Sequence, residues 1–159
     1  YVIGELGVKA ADSGFKIVPA EELKLGPWKE QLLPLYGAGV AYAETFDLPA
    51  LSGSYRVKLP SWYGSVARVN VNGQTAGYIE APPYERDVTP HLKAGKNSIE
   101  VVVIGTLKNT LGPHHAGPGL GSAWPGMFHQ APERGPPPGT SYAAVGYGLL
   151  QPFVLVQEK

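Results

Sequence analysis

Apolar and polar residues alternate with a period of two along several short stretches of the chain, the spacing of half-buried strands. Tyr55, Val57 and Leu59 interleave with Arg56 and Lys58. The run Val66-Ala67-Arg68-Val69-Asn70-Val71 repeats the pattern, with Ala67, Val69 and Val71 on the side expected to be buried. Asn72-Gly73 follows directly; both residues take positive φ at little cost, so the pair predicts a tight hairpin turn. Tyr78 and Ile79 restart a strand beyond it. Past the Pro82-Pro83 loop, Gly95-Lys96-Asn97 turns the chain into Ile99-Glu100-Val101-Val102-Val103-Ile104, which is β-branched and nearly free of charge and so predicts a central strand.

The flanks are less regular. Phe15 to Val18 predicts a short strand ended by Pro19. Ala20-Glu21-Glu22-Leu23-Lys24 has local helical character but is too short to stand alone before Gly26-Pro27. Trp28 is read as a core plug or lid. Gly39 to Leu48 predicts a strand with Tyr42 and Phe46 on its buried face. Glu44 then falls beside them, which requires a partner, a place near the strand's open end, or a β-bulge. Trp62 and Tyr63 sit at a strand-to-loop corner. Val88 to Leu92 reads as one turn of helix or 3-10 helix, with Asp87 suited to cap it. Tyr142 to Leu150 and Phe153 to Val156 give two short apolar strands split by Pro152. Such closely spaced strands, with no regular helix of ten residues, predict an all-β fold, an antiparallel β-sandwich of the jelly-roll kind.

The bulk composition narrows the partners. The 159 residues suit one domain with its own core, and 43% are hydrophobic against 16% charged. Thirteen basic residues balance thirteen acidic ones, and Arg56, Arg68 and Arg86 are dispersed, so neither nucleic acid nor an anionic membrane is expected. No apolar run reaches the roughly 20 residues of a membrane helix. Cysteine is absent, which removes disulfides and thiolate chemistry. The 21 Gly and 16 Pro crowd the segment from Gly112 to Gly139, and the long loop over 108–141 exceeds ordinary connection lengths. The chain opens at Tyr1 without Met or signal peptide, so the expectation is a piece of a longer polypeptide. Residues 1–24 are then an extension or linker from a preceding domain, and 25–159 the sandwich.

One order of residues carries a family resemblance: Val69-Asn70-Val71-Asn72-Gly73, Gly77, Pro82-Pro83-Tyr84, Asp87-Val88-Thr89, Leu92, Gly95, Asn97, Ile99 and Val101, with Trp28, Tyr42 and Phe46 upstream. Over residues 25–107 it resembles the galactose-binding-like jelly-roll domain of family 2 type glycoside hydrolases and related rhamnosidase-like enzymes. The resemblance implies a non-catalytic accessory module of a bacterial glycoside hydrolase. It would pack on the catalytic domain of the same polypeptide, contact a polysaccharide or oligosaccharide, and be secreted or periplasmic. It implies no cofactor and leaves room for a structural calcium. Two other readings stand beside it: an independent carbohydrate-binding module, and a protein-interaction or structural module unrelated to sugar. The quoted residues also have plain scaffold roles. Gly77 lets the returning strand twist or approach closely, and Asn97 satisfies backbone groups of the Gly95 turn.

Chemistry must lie in the loops. A sugar site wants a flat apolar surface for C–H faces and a few donors and acceptors for hydroxyls. Trp62, Asn109, His115, Trp124, Phe128 and Gln130 are the candidate carbohydrate-binding residues; the same aromatics would equally serve to anchor a Gly/Pro-rich loop. His114, His115 and His129 lack the spacing of a zinc site, so no metal is assigned. Glycoside hydrolysis needs two carboxylates across the bond. Glu85 with Asp87, or Glu44 with Glu133, are the available pairs; the first has ordinary structural duties and the second spans distant loops. Ser61, Ser65 and Ser141 lack a nucleophile-elbow setting. Autonomous catalysis is not expected.

Overall fold

The computed structural model describes residues 4–111 and 135–158. They divide into two compact units, one from the described parts of 1–37 and 106–146, the other from those of 38–105 and 147–159.

The second unit holds most of the sheet structure. In chain order its strands are β3 (Gly39–Leu48), β4 (Ser54–Lys58), β5 (Trp62–Tyr63), β6 (Val66–Val71), β7 (Gln74–Ile79), β8 (Glu85–Asp87), β9 (Gly95–Ile104), β10 (Gly148–Leu149) and β11 (Val154–Glu158). They form antiparallel sheets ordered β3-β9-β6-β7, β11-β4-β8 and β10-β5. The strand expected to be central is central: β9 pairs with β3 along ten residue pairs and with β6 on its other side. Ala67, Val69 and Val71 of β6 and Ile99, Val101 and Val103 of β9 are wholly buried. Tyr55, Val57 and Leu59 line the three-stranded sheet, and the ring of Phe46 on β3 meets that of Phe153, just before β11, at 6.0 Å. Each such aliphatic side chain contributes about 1.5–3 kcal/mol relative to exposure. The result is an all-β antiparallel sandwich.

Local chemistry sets the turns. Asn72 and Gly73 take φ of 51° and 81°, the doubly positive turn that suits a two-residue hairpin. The β6–β7 register then slips by one residue between Val69 and Asn70. Gly77 follows at φ 138°, where a Cβ would strike the Arg86 guanidinium, while Arg86 Nε donates to Ala76 O at 3.0 Å. Asn97 closes the Gly95 turn: it donates to Lys93 O and Gly95 O and accepts from Lys93 N. Asp87 Oδ1 accepts from Thr89 N at 2.9 Å ahead of the 3-10 turn Thr89–His91. Glu44 needs no bulge, because β3 is an edge strand and the carboxylate is exposed in an unbroken register.

The first unit contains the hairpin of β1 (Leu6–Ala10) and β2 (Phe15–Pro19) and one helical turn, α1 (Lys108–Leu111). Trp28 opens a 3-10 turn, is 1% exposed, and packs edge-on against Tyr36 at 5.7 Å. Residues 20–24 form no helix, as expected of a segment too short to repay nucleation. Two expectations are corrected. The strand expected over 142–150 is confined to Gly148–Leu149. Glu85–Asp87, read as loop, is a strand because β4 pairs with it.

Candidate functional site

Two clusters of the second unit carry chemistry. The first is the charged face of the three-stranded sheet. Register places Arg56 opposite Asp87 and Lys58 opposite Glu85. Glu85 accepts from Arg56 Nη1 at 3.1 Å and pairs with Lys58 Nζ at 2.9 Å, and Arg56 Nε also reaches Glu158 at 3.2 Å. Asp87 is held below the usual carboxylate range, first by the Thr89 hydroxyl and then by the Thr89 N–H. Arg56 is raised above its ordinary value, chiefly by its hydrogen bond to Glu158. Both oxygens of Glu85 thus face cations, and Asp87 favours its ionised form. A general acid needs the opposite environment, one that keeps a carboxyl protonated near neutrality. The pair serves the sheet. Of the other pair, Glu44 is exposed on β3 and Glu133 lies outside the described residues.

The second cluster is an aromatic corner. The short β5–β10 ladder pairs Tyr63 with Gly148 and Trp62 with Leu149. Strand alternation sends the adjacent rings of Trp62 and Tyr63 to opposite faces. Trp62 meets the ring of Tyr84 edge-on, at 5.6 Å and 86°. Tyr84 stands at φ 56°, an uncommon backbone for a bulky residue, held where its carbonyl accepts from Leu59 N at 3.0 Å. Tyr63 stacks on buried Tyr147 at 5.9 Å and 13°, yet remains 44% exposed. Such a ring, backed on one side and wet on the other, offers the flat apolar surface that a sugar's C–H face can meet. The sequence marks Trp62 and Tyr63 as a corner but offers only Trp62 as a site candidate. The contacts of Tyr84 and Tyr147 with that corner give no signal, because distant segments bring them there.

The remaining candidates separate. Asn109 is buried in the first unit, donating to Val145 O at 2.8 Å and accepting from Val145 N at 2.7 Å. His115, Trp124, Phe128 and Gln130 lie outside the described residues, as do His114 and His129. Ser65 Oγ lies 3.0 and 2.9 Å from Ile104 O and Gly105 O, which occupies its hydroxyl with backbone carbonyls. Among the described residues no three His, Cys, Asp or Glu gather as a metal site, and no helix is long and apolar enough to cross a membrane.

The fold and these clusters define the class: an antiparallel β-sandwich with an aromatic corner and a charge-paired sheet face. No protein-family model matches the sequence, and no curated protein matches it. Among solved structures, the rhamnosidase from Novosphingobium sp. PP1Y is similar at a TM-score of 0.59 and 24% identity, over 96% of this chain and 14% of that one. A beta-galacturonidase from Eisenbergiella tayi aligns at a TM-score of 0.48 and 15% identity, over 96% of this chain and 22% of its own. The beta-glucuronidase of Bifidobacterium dentium aligns at 0.42 and 26%, over 56% of this chain and 15% of its own. The first likeness shows a shared fold; the other two are too distant in shape to carry an argument. The chain spans 14–22% of the length of these enzymes.

Proposed function

We propose that this chain is a non-catalytic accessory module of a glycoside hydrolase, a jelly-roll domain of the galactose-binding-like kind. It packs against the catalytic domain of the same polypeptide in a secreted or periplasmic enzyme. The observation that carries the reading is the likeness to a rhamnosidase over 96% of this chain but only 14% of the enzyme. A sandwich that buries its own core and recurs as a small part of a large enzyme suits a supporting domain. Glu85, held between Arg56 and Lys58, and Asp87, bonded to Thr89, support the same reading, since both carboxylates are engaged in holding the sheet. Carbohydrate contact is assigned to Trp62 and its corner, and to the segment carrying His115, Trp124, Phe128 and Gln130. Asn109 then fixes the chain from which that segment departs.

The test has two arms. The isolated chain should turn over none of the 4-nitrophenyl rhamnoside, glucuronide, galactoside and mannoside substrates. Removing it from the complete polypeptide should lower the thermal stability of the enzyme. On a broad panel of neutral glycans, weak binding should disappear in Trp62→Ala and Trp124→Ala. Turnover by the isolated chain that Glu85→Gln abolishes would overturn the reading.

A further inference from the structure

The four-stranded sheet has a second face, turned away from Ala67, Val69 and Val101. Register aligns two rows across it. Ala41, Val102, Arg68 and Tyr78 pair in sequence across the strands, and one step along lie Ala43, Glu100, Asn70 and Thr75. The second row is already ordered: Thr75 Oγ1 donates to Asn70 Oδ1 at 2.9 Å, and Asn70 Nδ2 donates to Glu100 Oε1 at 2.7 Å. In the first row Tyr78 is 50% exposed. Beside it, Arg68 Nε is buried with no hydrogen-bond partner. Ala41 and Ala43 are exposed and short, so the β3 side of the face stands low.

An unsatisfied buried donor is costly, the more so when it is charged. Arg68 as a whole is only part-buried, so a ligand has to draw its guanidinium outward to meet Nε and a terminal nitrogen together. That edge of the guanidinium matches the two oxygens of a carboxylate. Tyr78 adds a ring wide enough for a pyranose, and the Asn70, Thr75 and Glu100 row adds groups that suit hydroxyls. A peptide strand would instead seek the N–H and C=O groups at a sheet edge. We propose that this face binds an acidic sugar, its carboxylate on Arg68 and its ring over Tyr78. The site is complete within the second unit and does not depend on the accessory-module reading.

The test is an amide-resolved NMR titration of the whole chain with digalacturonate and with its neutral counterpart, digalactose. Shifts should centre on residues 68, 70, 78 and 100, with the acid bound at least about tenfold more tightly, the worth of one charge-assisted contact. Arg68→Gln should remove that advantage and Arg68→Lys restore part of it. Tyr78→Ala should weaken both ligands. Raising salt should weaken only the acid. Salt response and the Tyr78 variant keep the test decisive if Arg68→Gln does not fold. Equal affinity for the neutral sugar, indifference to Arg68→Gln in a folded variant, or no salt response would overturn the proposal. So would a Glu-rich hexapeptide that binds as tightly through the same residues, which would make the face a protein-docking surface.

Discussion

Asn97 in the second unit and Asn109 in the first are buried alike, at 0% and 1% exposure, and both serve backbone groups. Their settings differ. Asn97 works within four residues of itself, on Lys93 and Gly95, and is met by Asn72 Nδ2 at 3.0 Å. Around it run the ladders of β9 with β3 and β6, which would pair without it. Asn109 instead holds Val145, 36 residues away in sequence, where neither segment has a strand partner. The same dependence recurs across the first unit. Thr110 Oγ1 donates to Leu35 O, Gly14 N to Pro137 O, and the rings of Phe15 and Tyr142 meet at 4.9 Å. One unit rests on repeated ladder bonds over an aliphatic core. The other, beyond its β1–β2 hairpin, is joined by single hydrogen bonds and ring contacts between irregular segments.

The strongest way to break this comparison is Trp28→Ala. Removing a buried Trp costs about 3–5 kcal/mol. Hydrogen exchange should show lost protection at amides of 4–37 and 106–111, with β6 and β9 still protected. Equal loss in those strands would mean that the two regions unfold as one and that the contrast is empty.

The two asparagines give a matched pair of smaller size. Asn97→Ala takes the side-chain partner from Lys93 N, Lys93 O and Gly95 O and one of two acceptors from Asn72 Nδ2, and should cost about 3 kcal/mol. Asn109→Ala strands only the N–H and carbonyl of Val145, which should cost about 2 kcal/mol. Urea unfolding separates the two, and exchange should place the second loss in the first unit. An Asn109→Ala loss larger than that of Asn97→Ala would show that the irregular unit is the better determined of the two.

The same contrast decides what could be read from the sequence. Alternation at 55–59, 66–71 and 99–104 survives as strands because one face meets a core, and Asn72-Gly73 is a turn by dihedral preference alone. β1 was missed: its Leu6-Gly7-Val8 stretch shows no alternation, and Gly7 is small because the Leu32 side chain lies where a Cβ would stand. The short strands β5, β8 and β10 are made by their partners. For the candidate site, Trp62 drew notice as a Trp beside a turn, but its contact with Tyr84 depends on the Pro82-Pro83 loop returning. The Arg68–Tyr78 row needs the register slip between Val69 and Asn70, which residue parity alone does not reveal.

The smallest expected effect concerns Asp87. Its lowered pKa means that the folded chain favours the ionised carboxylate, so the contribution to stability is complete above the ordinary value of about 3.9 and fades as pH falls through the lower folded value. The Thr89 hydroxyl also lies 3.4 Å from Tyr55 O, long for an O–H···O bond, so its proton is better used by the carboxylate. Tyr55 N donates to the same hydroxyl at 2.8 Å, which orients it. A carboxyl-carbon NMR titration should therefore find Asp87 below the usual range. In Thr89→Val it should move upward without reaching the ordinary value, because the Thr89 N–H is retained. Since the carboxylate is exposed, the stability that the variant loses at pH above the ordinary value should be slight and confined to the second unit. An unchanged Asp87 titration in Thr89→Val would show that the backbone N–H alone sets the shift.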